Sequence, residues 1–124
     1  MATRDRGSRK AASAGDAEVL NRAHLAHYTL DNAELEREIV ALFLEQLPVT
    51  IAAMENAKTA TDWKMAAHTV KGSAAAVGAT RINAIADELE AHAANRRSST
   101  AQALMMDMQE AAEQFRAVAK RIFG

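Results

Sequence analysis

From Asp16 onward the chain repeats apolar side chains at intervals of three and four, and one proline and five glycines are all that punctuate its 124 residues. That spacing lines one face of an α-helix, whereas a half-buried strand needs strict alternation. Ala, Leu, Glu, Met and Arg fill these stretches and are strong helix formers, while β-branched runs of alternating polarity are missing. So little turn chemistry does not serve a many-stranded fold. The expected class is all-α, and the length suits one domain with a single, modest core.

Five helices can be read. The first runs from about Asp16 to His27, with Val19, Leu20, Ala23 and Ala26 or His27 on one side. The second opens at Asp31, whose carboxylate can cap free N–H groups, with Glu34 as its box-like partner. Its stripe is Leu35, Ile39, Leu42, Phe43, Leu47, Ile51 and Met54, and Pro48 should kink or split it by removing a backbone donor. The third follows Thr61 as N-cap and ends near Gly78, a good C′ residue. The fourth starts after Thr80, buries Ile82, Ile85, Ala86 and Leu89, and closes at the polar break Asn95-Arg96-Arg97-Ser98. The fifth starts at Ser99 with Gln102 in capping-box position, its stripe running Leu104, Met105, Met108, Ala111, Ala112, Phe115, Val118 and Ile122. Short connections make consecutive helices antiparallel neighbours. The expected architecture is an up-down-up-down antiparallel four-helix bundle, residues 16–124, with an additional short N-terminal helix across one end. Residues 1–15 are basic and small and read as a disordered tail, without the apolar centre of a secretory signal.

Several function classes fall away on composition. A formal charge of −1 gives no global field for nucleic acid. The absence of cysteine excludes disulfide scaffolds and thiolate metal sites and fits a reducing compartment. The longest apolar run, Ile39 to Leu44, is far short of a membrane span. His24 and His27 have a spacing that can hold a metal, but no acidic or His cluster completes a ligand set. His92 falls at the edge of the fourth helix's stripe, and Met105, Met106 and Met108 read as core filler. No paired carboxylates, phosphate loop or nucleophile triad suggests an enzyme acting on small molecules.

One histidine stands apart. In the third helix Trp63, Ala66, Ala67, Val70, Ala74 and Val77 form the apolar stripe, and His68 falls about 150° from its middle at about 100° per residue. Lys64, Lys71, Met65, Gly72 and Ala75 surround it. The turn between the third and fourth helices is centred on Ala79. His68 lies eleven residues before it and Glu90 eleven after, so the two sit at similar heights in an antiparallel hairpin. A carboxylate accepting the Nδ1–H of a histidine leaves Nε2 unprotonated and nucleophilic. Lys71, one turn on, can balance negative charge arriving there, and Lys64, one turn before, can help. Gly72 clears the approach at a cost of about 0.5–1 kcal/mol to the helix. The bland alternatives are solvated lysines, a surface carboxylate paired with Arg81 or Arg97, an incidental helix glycine and a half-buried Met65.

The stretch His68-Thr69-Val70-Lys71-Gly72-Ser73, followed by Gly78, resembles the signature of histidine-containing phosphotransfer (HPt) domains. Leu89-Glu90 at this distance is similar to the family's orienting acid or amide, and Phe43-Leu44-Glu45-Gln46-Leu47-Pro48 to its helix around a proline. The likeness spans about Val19 to Ile122. It departs at Val70, where Leu is common, and in the small residues Ala74 to Ala76. The resemblance implies that His68 is the phosphoacceptor, Lys71 a charge partner of the phosphoryl group, Gly72 the clearance residue and Glu90 the orienting group. It implies response-regulator receiver domains, and a sensor kinase, as partners, with no ATP hydrolysis and no cofactor on this chain, Mg²⁺ belonging to the receiver. Lys64, Met65, Gly72 and Ala75, with help from the second helix, would form the docking patch. A cytoplasmic monomer that binds neither nucleic acid nor membrane is expected. The alternative is a bundle of the same shape that binds a kinase or receiver without carrying phosphate.

Overall fold

The computed structural model describes residues 18–124, and the expected tail at residues 1–15 lies outside them. The described residues hold helices α1 (Arg22–Tyr28), α2 (Ala33–Glu55), α3 (Ala60–Val77), α4 (Thr80–Ala91) and α5 (Ser99–Phe123), with a 3₁₀ turn at Ala93–Asn95 and no strand. α2 packs on α3, α3 on α4, α4 on α5, and α5 back on α2, while the diagonal pairs do not pack to any comparable extent. That ring is a four-helix bundle. Phe43 of α2 and Phe115 of α5 close it with an edge-to-face contact, their ring centroids 5.1 Å apart. α1 lies against α3 and α2.

Four of the five helices start at a side-chain cap, while α4 starts at Thr80 after Ala79 with none. Asn21, Asn32, Thr59 and Ser98 cap α1, α2, α3 and α5, each side-chain oxygen accepting from a backbone N–H three residues on. These positions correct the expected caps by one or two residues. Asp31 does not cap α2, because it and Leu30 hold φ values of 63° and 55°, and an N-cap needs extended backbone. Thr61 gives way to Thr59, and Ser99 to Ser98, while Gln102 donates to the Arg96 carbonyl (3.0 Å) and not within a capping box. The first helix is not continuous from Asp16: Leu20 and Asn21 are non-helical, and α1 buries Leu25 while leaving Ala23 and His27 exposed.

Gly78 ends α3 in the left-handed region, at φ 76°, as its place after the last apolar residue suggests. It is also a docking point. The Asn21 N–H donates to the Gly78 carbonyl (2.7 Å), so the segment before α1 presses on the α3–α4 turn.

The core follows the predicted stripe in α3 and, but for the half-buried Ile122, in α5, which adds Ala101 and Ala119; in α4 Ile82, Ala86 and Leu89 are buried as expected while Ile85 is only half-buried. α2 departs from expectation in two ways. It stays one helix through Pro48, which is exposed, so the lost donor does not split it. Its buried face is Glu36, Val40, Phe43, Leu47, Ile51 and Met54, while Leu35 and Leu42 are exposed and Ile39 half-buried. Glu36 takes a core position with its Oε2 3.3 Å from the buried Thr29 hydroxyl. Met106 is also exposed, unlike Met105 and Met108. No helix among the described residues is long and apolar enough to cross a membrane.

Candidate functional site

The α3–α4 hairpin builds the site. A two-residue turn, Gly78-Ala79, joins the helices and sets their register. Two polar ties hold it: the Trp63 indole Nε1–H donates to the Leu89 carbonyl (2.6 Å), and Asn83 Nδ2 donates to the Lys71 carbonyl (2.8 Å). Residues equidistant from Ala79 then sit at similar heights on the two helices. Lys71 and Asp87 lie eight residues either side of it, and His68 and Glu90 eleven.

His68 stands on the solvent face with 69% of its side chain exposed, and its Nδ1 lies 3.4 Å from Glu90 Oε2. This is longer than the roughly 3.0 Å of a well-formed N–H···O bond. Glu90, only 17% exposed, makes its shortest contact with Lys71, Oε1 to Nζ 2.7 Å. Lys71 also reaches Asp87 Oδ1 at 3.2 Å. Glu90 therefore bridges the imidazole and the ammonium, and pairs with neither Arg81 nor Arg97. Arg81 instead engages Gln114 and Glu18.

These contacts set the titration. The hydrogen bond from Lys71 holds the Glu90 carboxyl below its ordinary value of 4.5, against the opposing effect of desolvation, with His68 adding less. Reciprocally, the bonds to Glu90 and then Asp87 raise Lys71 above 10.5. At neutral pH the pair is fully charged.

Gly72 is one turn beyond His68 and exposed, and a Cβ built on it would meet nothing within 4 Å. The fold does not require glycine there. Lys64, Met65 and Ala75 are exposed around His68, Met65 at 64%, so Met65 is not half-buried packing. Lys64 forms no ion pair with a described residue. Beside this face a groove of about 290 Å³ runs between α2 and α3, with Leu42, Gln46, Ser73 and Ala76 on its walls. Val49 is exposed further along α2. His92 is half-buried with Nδ1 2.9 Å from the Glu88 carbonyl, away from the site. His24 and His27 are exposed, and no group of three His, Asp or Glu side chains suited to a metal occurs among the described residues.

Asp87 and Asn83 escaped the sequence reading. The mirror relation about Ala79 that pairs His68 with Glu90 also pairs Lys71 with Asp87, so the signal was present for one of them. Leu42 was expected in the core stripe of α2 and is exposed instead, and Val49 had no role in the sequence reading.

An exposed imidazole backed by a carboxylate, with a lysine one turn away, can accept an electrophile but offers no means to generate one. The Hpt domain family model matches residues 38–119, and the chain belongs to this family. Its class is that of phosphocarriers in two-component signalling, which interact with receiver domains and kinases. Comparison with curated proteins and with solved structures gives no match.

Proposed function

We propose that His68 is the phosphoryl acceptor of a phosphorelay, taking the group from a receiver-domain aspartate or a kinase and passing it to another receiver aspartate. The observation that carries this is the exposed His68 ring with Nδ1 turned to Glu90. With Nδ1–H facing a carboxylate, Nε2 keeps its lone pair for attack. A bond forms from Nε2 to phosphorus as the bond from phosphorus to the aspartate oxygen breaks, and its electron pair leaves on the carboxylate. Such transfer depends on positioning and charge stabilisation more than on covalent help. Lys71 supplies positive charge to the phosphoryl oxygens, with Lys64 assisting; Glu90 orients the ring; Gly72 leaves the approach clear.

The receiver docks over α2 and α3, where Met65, Gly72 and Ala75 adjoin exposed Leu42 and Val49. A modest, partly apolar patch suits a partner that must also leave. Mg²⁺ belongs to the receiver, and this chain contributes no cofactor. In this role the chain works as a cytoplasmic monomer. Incubation with a phosphorylated receiver should place an acid-labile label on the chain, and His68→Gln should abolish it. Label surviving in that variant rejects the assignment. Binding that persists in His68→Ala, with no transfer to any receiver, favours a module that docks without carrying phosphate.

A further inference from the structure

Glu90 touches His68, Lys64 and Lys71 flank it on α3, and Asp87 reaches it only through Lys71. A phosphoryl group on Nε2 adds roughly two negative charges, taking side-chain phosphates as the guide. Lys71 is the cation placed to meet it, yet its ammonium is already committed to two carboxylates of α4. Two of its three N–H donors are taken, and the bond to Asp87 holds it on the side toward the hairpin turn, so swinging fully onto the phosphoryl oxygens means leaving that carboxylate.

The two carboxylates are not equivalent. Glu90 is 17% exposed and holds Lys71 at 2.7 Å. Asp87 is 68% exposed and holds it at 3.2 Å. The longer bond lies in water, where ion pairs are weak and exchange readily. Glu90 touches both His68 and Lys71, while Asp87 lies one turn back along α4, on the side of Lys71 toward the hairpin turn. Lys71 can therefore keep Glu90 and leave Asp87.

We infer that Asp87 is a positioning residue that tethers Lys71 while His68 is unmodified and releases it when a phosphoryl group occupies Nε2. This rests on His68 being the acceptor. No covalent bond changes in the exchange: Lys71 trades an N–H···O bond to Asp87 for one to a phosphoryl oxygen, and the Asp87 carboxylate returns to water. The tether favours the unmodified state and so makes the phosphorylated chain a better donor.

The full chain is equilibrated with phosphoramidate at a fixed ratio to ammonia. Nε2 bonds to phosphorus as ammonia leaves with the electron pair of the broken P–N bond. The His68 phosphohistidine signal in phosphorus NMR, set against the total concentration of chain, gives the ratio of phosphorylated to free His68. Asp87→Asn should raise that ratio about two- to five-fold, the range set by an exposed ion pair, and Asp87→Glu, which still reaches Lys71, should leave it near wild type. Lys71→Met should lower it, and adding Asp87→Asn to Lys71→Met should then change it by less than about 1.5-fold. No rise in Asp87→Asn overturns the inference. An equal rise without Lys71 also overturns it, because Asp87 would then act directly through its charge. A wild-type chain that takes no phosphoryl group, from this donor or from any receiver, defeats instead the assignment of His68, and the inference with it.

Discussion

Gly72→Ala separates what the fold wants from what a partner wants. Gly72 lies inside α3, and a Cβ there meets open space. The substitution should thus recover the helix propensity that glycine gives up, about 0.5–1 kcal/mol. For a domain of this size that is a rise of about 2–5 °C in Tm. Every Cα–Cβ bond of a helix tilts toward its N-terminus, so a side chain at 72 leans over the turn that carries His68. A docked receiver would then be held off the imidazole, and a misplacement on the order of 1 Å can cost about 100-fold in rate. Transfer from a phosphorylated receiver should fall on the order of ten-fold or more in Gly72→Ala, and further in Gly72→Gln. Thermal unfolding by circular dichroism reads the first effect and single-turnover phosphotransfer the second. A more stable variant that transfers within about two-fold of wild type would refute the clearance role of Gly72 while leaving the helix argument intact.

Gly78→Ala, the same exchange at the end of the same helix, should have the opposite sign. Its φ is 76° and a Cβ would come within 2.6 Å of the Asn21 carbonyl oxygen, so left-handed strain adds to loss of the Asn21–Gly78 contact. A destabilisation of about 2–4 kcal/mol is expected in urea unfolding, and a change under about 0.5 kcal/mol would contradict the close approach. The Lys71–Glu90 pair predicts a pH profile. Glu90 titrates below its ordinary 4.5 in the folded chain, so its contribution is present above 4.5 and lost as pH falls through the lower folded value. Lys71 titrates above 10.5, so its contribution is present below 10.5 and lost as pH rises through the higher folded value. Glu90→Gln should flatten the acid limb of the urea midpoint against pH, and an unchanged limb would show that the pair contributes nothing measurable.

The bundle was legible because α3 and α5 carry stripes that only a helix can collect on one face. His68 was legible for the complementary reason, since it falls where no stripe does. α2 misled in its first half. Phe43, Leu47, Ile51 and Met54 of its expected stripe are buried, but Leu35, Ile39 and Leu42 stand off the buried face, which continues instead through Glu36 and Val40. Glu36 disguised that face, because a carboxylate in a core position reads as solvent until its contact with Thr29 is known. Asn32 and Asp31 are both capable caps, and only the positive φ of Asp31 decides between them. The break at Leu20-Asn21 has no glycine or proline to announce it; it follows from the tertiary bond to Gly78.

The leucine error has a functional side. An apolar residue that the core does not claim, on the helix next to an exposed His68, is available to the docking surface proposed above. Leu42 and Val49 therefore give weight to docking over α2 as well as α3. The chemistry itself stays within one hairpin. Because Gly78 fixes the turn, and Trp63 and Asn83 tie the helices on which the pairs 68–90 and 71–87 stand, no loop has to order for His68, Lys71 and Glu90 to meet. A site carried on rigid elements holds its geometry before any partner arrives. α2 and α5 bury the rest of the bundle through contacts such as Phe43 with Phe115. The face of α3 opposite that core is left to the exposed His68, as the proposed exchange of a phosphoryl group between two proteins requires.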